Sequence, residues 1–271
     1  MAAHRRKLDL RKTLFLLPNM ITLSSIFCGF DSIRLSATST GDDDYYRASL
    51  LLVYALFFDM LDGRVARLTK TQSAFGLQID SLADVISFAV APALLVYKWS
   101  LVQKGTVGIV IAFTFVGAGA VRLARFNVLS MGESGTPTKP GKYIIGLPVP
   151  GAAGILISLV VANHAISGDL SGPKYVFPMM VLTCFLAFLM VSTIRFRSFK
   201  DLKLNARTVG LVLFAVASSA IVSLQTKPAF VLVWLLAFYV VIGLVETLIA
   251  LPSGLAKRRR EATERSSLPP T

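Results

Sequence analysis

The chain comprises 271 residues, 54% hydrophobic and only 16% charged, with a mean hydropathy of +0.67. A soluble domain carries about 25% charged residues, so the composition argues against a water-soluble globular enzyme; 19 Gly, 12 Pro and two Cys likewise support no collagenous, disordered or disulfide-stapled class. The formal charge of +13 gathers at the ends of apolar segments, a placement that indicates membrane topology and an anionic lipid surface, with no nucleic-acid partner.

Taken in chain order, a basic segment (1–15) without a small-residue cleavage site leads into eight apolar stretches. They run approximately over 16–36, 47–66, 77–97, 106–126, 147–165, 175–194, 208–224 and 229–251, each long enough for a membrane-crossing helix. The fifth opens on Pro148 and Pro150, and the seventh is short. Barrel strands of alternating polarity are absent. The expected fold is therefore all-α, a polytopic membrane helix bundle of about eight transmembrane helices. Residues 16–251 form the transmembrane catalytic domain, and residues 252–271 a basic, disordered tail drawn to the lipid surface. Cys28 and Cys184 read as small buried hydrophobes. Asp31 and Glu246, lone acids in other spans, read as hydrogen-bonding between helices.

Alternate loops differ sharply in basic content. The side holding both termini carries 22 Lys and Arg and the opposite side six, the latter with the acidic run Asp42, Asp43 and Asp44. Positive charge stays inside, so both termini face the cytoplasm. The arrangement fits an integral protein of the cell (inner or plasma) membrane.

Four carboxylates crowd the second loop. Asp59 and Asp62 are spaced i, i+3 near the end of the second span, and Asp80 and Asp84 are spaced i, i+4 near the start of the third, so each pair shares a helix face. Two antiparallel helices joined by a short loop then point all four into one cleft. Carboxylates at membrane depth are costly and mark a polar cavity, an ion path or a reaction site. Four uncompensated negative charges would repel, and a divalent cation relieves this. The donors are hard oxygens with no His or Cys among them, which fits Mg²⁺ or Mn²⁺ and not zinc. His4 and His164 lie away from the cluster. Gly63 and Ala66 leave room for a bulky ligand, and Arg67 offers a planar cation suited to phosphate. A phosphate-bearing, lipid-linked substrate follows.

The pattern Asp59-x-x-Asp62-Gly63-x-x-Ala66-Arg67, eight residues, Gly76-x-x-x-Asp80-x-x-x-Asp84 resembles at every position the signature of the CDP-alcohol phosphatidyltransferases. That resemblance implies a core of six transmembrane helices, usually as a homodimer, and displacement of CMP from a CDP-linked lipid by an alcohol. It also implies that Asp59, Asp62 and Asp80 bind metal, and that Asp84 is both a metal ligand and the general base. By the same similarity Gly63, Arg67 and Ser73 line the nucleotide-phosphate pocket. The stretches LPNMITLSSIFCGF (17–30), DSLADVISFAVAPA (80–93), RLARFNV (122–128) and GLPVP (146–150) resemble the membrane-embedded bacterial phosphatidylserine synthases. This likeness implies CDP-diacylglycerol and L-serine as substrates. Val85 stands where phosphatidylglycerophosphate synthases usually carry Lys.

Asn19 and Thr22, at the cytoplasmic start of the first span, are further candidate diphosphate ligands, with helix-start capping as the plain alternative. The serine carboxylate calls for a cation, and Arg122 and Arg125, spaced i, i+3 at the end of the fourth span, are its candidates. Their ordinary reading is positive-inside anchoring. Two rival functions stand beside the serine transferase. One is a relative using glycerol 3-phosphate, inositol or a CDP-linked ether lipid. The other is a cation or proton transporter with the aspartates as its ion path.

Overall fold

In the computed structural model the described residues are 10–130, 143–168 and 170–197, together with 218, 231, 233–238 and 240–242. The basic segment before residue 10, the seventh span apart from Ser218, Glu246 and the C-terminal tail lie outside them.

The first helix, α1 (Leu10–Thr38), and the second, α2 (Asp42–Leu68), form a long antiparallel pair. Asp42, Asp43 and Asp44 occupy the first turn of α2, where negative charge complements the exposed N–H groups. A five-residue turn leads into α3 (Ala74–Asp84), whose N-terminus is capped by Ser73 accepting from the Gly76 N–H at 3.0 Å. Beyond Asp84 the backbone widens into π-helical turns over Val85–Val90 and continues as α4 (Ala91–Trp99). A 3₁₀ turn, Leu101–Lys104, connects to α5 (Thr106–Ser130). The chain re-enters as β1 (Tyr143–Ile145), then α6 (Val149–Ala165), α7 (Pro173–Val191) and β2 (Arg195–Arg197). The two strands pair antiparallel, Ile144 opposite Phe196.

That ribbon departs from a purely helical expectation. It lies at the ends of α6 and α7, and Gly146, with φ +79°, turns the chain out of β1 where an L side chain would be strained. A Cβ there would also meet the Met190 carbonyl at 2.3 Å.

Four helices among the described residues are long and apolar enough to cross a bilayer: Leu16–Thr38, Ala74–Trp99, Thr106–Leu129 and Pro173–Val191. Helix α2 has the length, 27 residues or about 40 Å, but its ends and its Asp and Arg residues make it too polar to qualify by composition. Helix α6 is shorter, at 17 residues, and is enclosed on every side, with Ala152, Ala153, Leu156 and Ile157 fully buried. Being apolar all round, it belongs to the interior.

The outer surface carries the bulky apolar side chains. Phe27 and Phe30 on α1, Phe113 on α5, and Phe177 and Phe188 on α7 are all exposed. Helix contacts instead use small residues, as expected where lipid is as apolar as leucine and association depends on close backbone approach. A Cβ on Gly29 would lie 2.9 Å from the Ser87 Cα, and one on Gly119 would lie 2.9 Å from the Ala89 Cβ. Helices α1 and α5 thus grip the π-helical segment from two sides. Ser87 donates to the Ser25 carbonyl at 3.0 Å, and Ser25 in turn donates to the Ala55 carbonyl at 3.2 Å.

Two smaller expectations change. Asp31 pairs with Arg34 of its own helix at 2.6 Å, not with a neighbouring one. Cys28 is buried, but Cys184 faces outward.

Candidate active site

Asp59 and Asp62 lie in the last three turns of α2, and Asp80 and Asp84 in the second half of α3. The turn between the helices sets how these pairs face. Thr69 donates to the Val65 carbonyl at 2.7 Å and shares a hydrogen bond with Thr71 at 2.7 Å. This holds the intervening Lys70 in the left-handed region at φ 55°, a conformation uncommon outside glycine. Ser73 then starts α3.

The result is convergence. Ligand oxygens of Asp59, Asp62 and Asp80 all lie within 4.8 Å of one another. Asp84 stands beside them, within hydrogen-bonding reach of Asp59 and close enough to feel the charges of Asp59, Asp80 and Arg122. Its Oδ1 is buried and accepts no hydrogen bond among the described residues. An orphaned carboxylate oxygen beside three clustered carboxyl groups is a set of hard donors short of positive charge. The residues therefore fit a divalent cation of the oxygen-seeking kind. Asp62 is only 5% exposed, so it too is largely withdrawn from water.

Around this cluster α1 supplies polar groups. Thr22 is buried and donates to Asp62 Oδ2 at 2.6 Å, while also approaching the Pro18 carbonyl at 3.0 Å. The hydroxyl expected at the diphosphate is thus engaged by a carboxylate. A Cβ on Gly76 would lie 3.3 Å from Ser73 Oγ and 3.9 Å from Asn19 Oδ1, so Asn19, Ser73 and Gly76 border one small space. Ser73 Oγ is itself occupied as the cap of α3. Beside Gly63 a Cβ would meet only an Arg67 nitrogen, at 3.7 Å, leaving the cleft open on that side with an exposed guanidinium at its edge.

The two arginines of α5 separate in role. Arg125 caps the end of α7: its Nη1 donates to the Val191 carbonyl at 2.8 Å, and its Nη2 reaches the carbonyls of Ile145, Ser192 and Met190 at 3.2–3.3 Å. Arg122 is buried, lies over the Phe126 ring at 5.5 Å, and attracts Asp84. Only Arg122 belongs to the cleft. His164 sits at the opposite end of the bundle, stacked on Tyr46 with ring centroids 4.0 Å apart and 3.7 Å from Asp43.

Three features went unassigned in the sequence. They are the π-helical segment after Asp84, the relay from Ser87 through Ser25, and the pairing of Ser81 with Asn127 at 2.9 and 3.1 Å. Ser81 and Asn127 fall inside DSLAD and RLARFNV, so an attached polar residue beside each charged one was the available signal. Nothing local announces the π turns.

The family model described as CDP-alcohol phosphatidyltransferase matches residues 15–195. The chain belongs to the CDP-alcohol phosphatidyltransferase family. Its similarity extends to individual members. It is 35% identical over 252 residues to the CDP-diacylglycerol–serine O-phosphatidyltransferase of Helicobacter pylori (strain ATCC 700392 / 26695), covering 92% of this chain and 98% of that one. It is 33% identical over 184 residues to the enzyme of the same name from Bacillus subtilis (strain 168), covering 68% and 91%. The archaetidylserine synthase of Methanothermobacter thermautotrophicus is 35% identical over 182 residues, covering 66% and 69%. The signature stands at one end of a helical bundle in which four helices are long and apolar enough to cross a bilayer, so the chain is a membrane protein with its acidic cluster at one end.

Proposed function

We propose that this chain transfers the phosphatidyl group of CDP-diacylglycerol to the hydroxyl of L-serine, yielding phosphatidylserine and CMP. The observation that carries the proposal is the meeting of the α2 and α3 carboxylates beside the buried Arg122, in a family member whose relatives are named for serine. The same site favours the transferase over an ion path.

Asp59, Asp62, Asp80 and Asp84 would hold one or two Mg²⁺ or Mn²⁺ ions, which when bound neutralise the diphosphate and the departing CMP. Arg67 and the open side of Gly63 receive the nucleotide phosphates, with Asn19 and Ser73 bordering the same pocket. Thr22 acts there through Asp62. Arg122 engages the serine carboxylate, which brings the serine hydroxyl towards Asp84. Asp84 takes the hydroxyl proton, and the serine oxygen attacks the phosphorus bearing diacylglycerol. A new P–O bond forms, the anhydride P–O bond breaks, and CMP leaves with the electron pair. Arg125, occupied by carbonyls, supports the helix ends and not the acceptor.

The six expected spans from 16 to 194 coincide with the family match at 15–195. This supports a six-helix core within a transmembrane domain of residues 16–251, with two further helices and basic ends at 1–15 and 252–271. Basic residues flank the acidic end of the bundle, in keeping with a cytoplasm-facing site in the cell membrane. A homodimer follows from the family resemblance.

Purified protein supplied with CDP-diacylglycerol and Mn²⁺ or Mg²⁺ should release CMP with serine and not with glycerol 3-phosphate or inositol. Release with another alcohol only would overturn the acceptor. The archaeal relative adds a second reading of the donor, a CDP-linked ether lipid, and running both donors side by side decides between them.

A further inference from the structure

Helix α3 is eleven residues long and ends at Asp84, where π-helical turns begin. Those turns close wider i→i+5 bonds, so the face that α3 presents is offset from the one a continuous α-helix running into α4 would give it. Rotation matters here. Asp80 and Asp84 share a face, and a small turn of α3 about its axis moves both carboxyl groups relative to Asp59 and Asp62 on α2.

A side-chain pair joins this stretch of α3 to α5. The Ser81 hydroxyl donates to Asn127 Oδ1 at 3.1 Å and accepts from Asn127 Nδ2 at 2.9 Å. Both residues are half-buried. One hydroxyl and one amide thus use donor and acceptor in both directions, which fixes the relative direction of the two side chains more tightly than one hydrogen bond would. Ser81 adjoins Asp80 and precedes Asp84 by three residues. Asn127 lies at the same end of α5 as Arg122.

We propose that Asn127 is a positioning residue: through Ser81 it sets the rotation of α3 and hence the direction in which Asp80 and Asp84 face the cleft. The link also registers those carboxyl groups against the helix that carries Arg122, so acceptor and base are held to one frame. The inference rests on the transferase reading above, and it makes no use of Asn127 touching substrate.

The test is a double-mutant cycle in the full chain: Asn127→Leu, Ser81→Ala, the double variant, and Ser81→Thr, which keeps the hydroxyl. Two quantities are read, kcat for CMP release with serine, and Mn²⁺ binding followed by the electron paramagnetic resonance of the free ion. Each single variant should lose about tenfold in kcat with KM for CDP-diacylglycerol unchanged, and the double should lose no more than either single. Mn²⁺ binding should weaken by a common factor in all three, and Ser81→Thr should restore both readings. Multiplicative losses, about a hundredfold in the double, would overturn the link, as would wild-type kcat and Mn²⁺ binding in Ser81→Ala. If Asn127→Leu fails to fold, Ser81→Ala and Ser81→Thr carry the test between them. A wild-type protein that releases no CMP with serine would instead sink the transferase reading, while the Mn²⁺ cycle still decides the role of Asn127.

Discussion

Replacing Thr22 by valine exchanges a hydroxyl for a methyl of nearly the same shape, so α1 should keep its packing. What disappears is the 2.6 Å hydrogen bond to Asp62 Oδ2. A hydroxyl–carboxylate contact of that length is in the charge-assisted range, and hydrogen bonds to charged groups contribute about 1.5–3 kcal/mol. Asp62 is nearly withdrawn from water, so little solvent is at hand to replace the lost donor. If the bond serves to aim the Asp62 carboxylate at a cation, the apparent Mn²⁺ or Mg²⁺ affinity should fall about 10–100-fold, the usual cost of removing an outer partner of a metal ligand. The assay is CMP release as a function of metal concentration at saturating CDP-diacylglycerol and serine. Thr22→Val should recover most of its activity at high metal, and Thr22→Ser should resemble wild type. Unchanged metal dependence together with a raised KM for CDP-diacylglycerol would refute this reasoning and return Thr22 to the diphosphate.

Asp84→Asn should reduce kcat by about 10²–10⁴-fold while CDP binding, measured by calorimetry with Mn²⁺ present, persists in part. Arg122→Gln should raise the KM for serine with little change for CDP-diacylglycerol. Arg125→Ala, by contrast, should lower thermal stability in detergent by orphaning four carbonyl contacts, a loss of about 1–3 kcal/mol, with serine KM nearly unchanged. Gly29→Val should force α1 away from Ser87 and lower the unfolding temperature, an overpacking cost of about 1–3 kcal/mol, read by differential scanning fluorimetry.

The acidic cluster was legible because its spacing is a helical statement. Intervals of three and four residues put each carboxyl pair on one face, and the short turn between the helices brings the faces together. The arginines of α5 were equally visible as a pair, but their division of labour was not. Spacing places Arg122 and Arg125 within one turn, whereas the choice between Asp84 and the carbonyls at the end of α7 depends on residues distant in the chain, those carbonyls lying 65 to 67 positions beyond Arg125. The partner of Thr22 was hidden for the same reason, since Asp62 lies 40 positions along the chain. Apolar length found α1, α5 and α7, but it could not show that α6 is enclosed, because a fully enclosed helix and a lipid-facing one have the same composition. The ribbon between residues 143–145 and 195–197 escaped because strands of three residues leave no alternation to read.

The capping contacts of Arg125 have a consequence for the order of assembly. The carbonyls of Met190, Val191 and Ser192 follow it by 65 to 67 positions. At a synthesis rate of about 5–20 residues per second, the guanidinium emerges roughly 3–13 seconds before those acceptors exist. Throughout that interval its charge must be hydrated, so the end of α5 has to wait at the aqueous boundary while α6 and α7 are made. The fastening of the bundle at this end is therefore a late event in biogenesis, completed only when the seventh helix arrives.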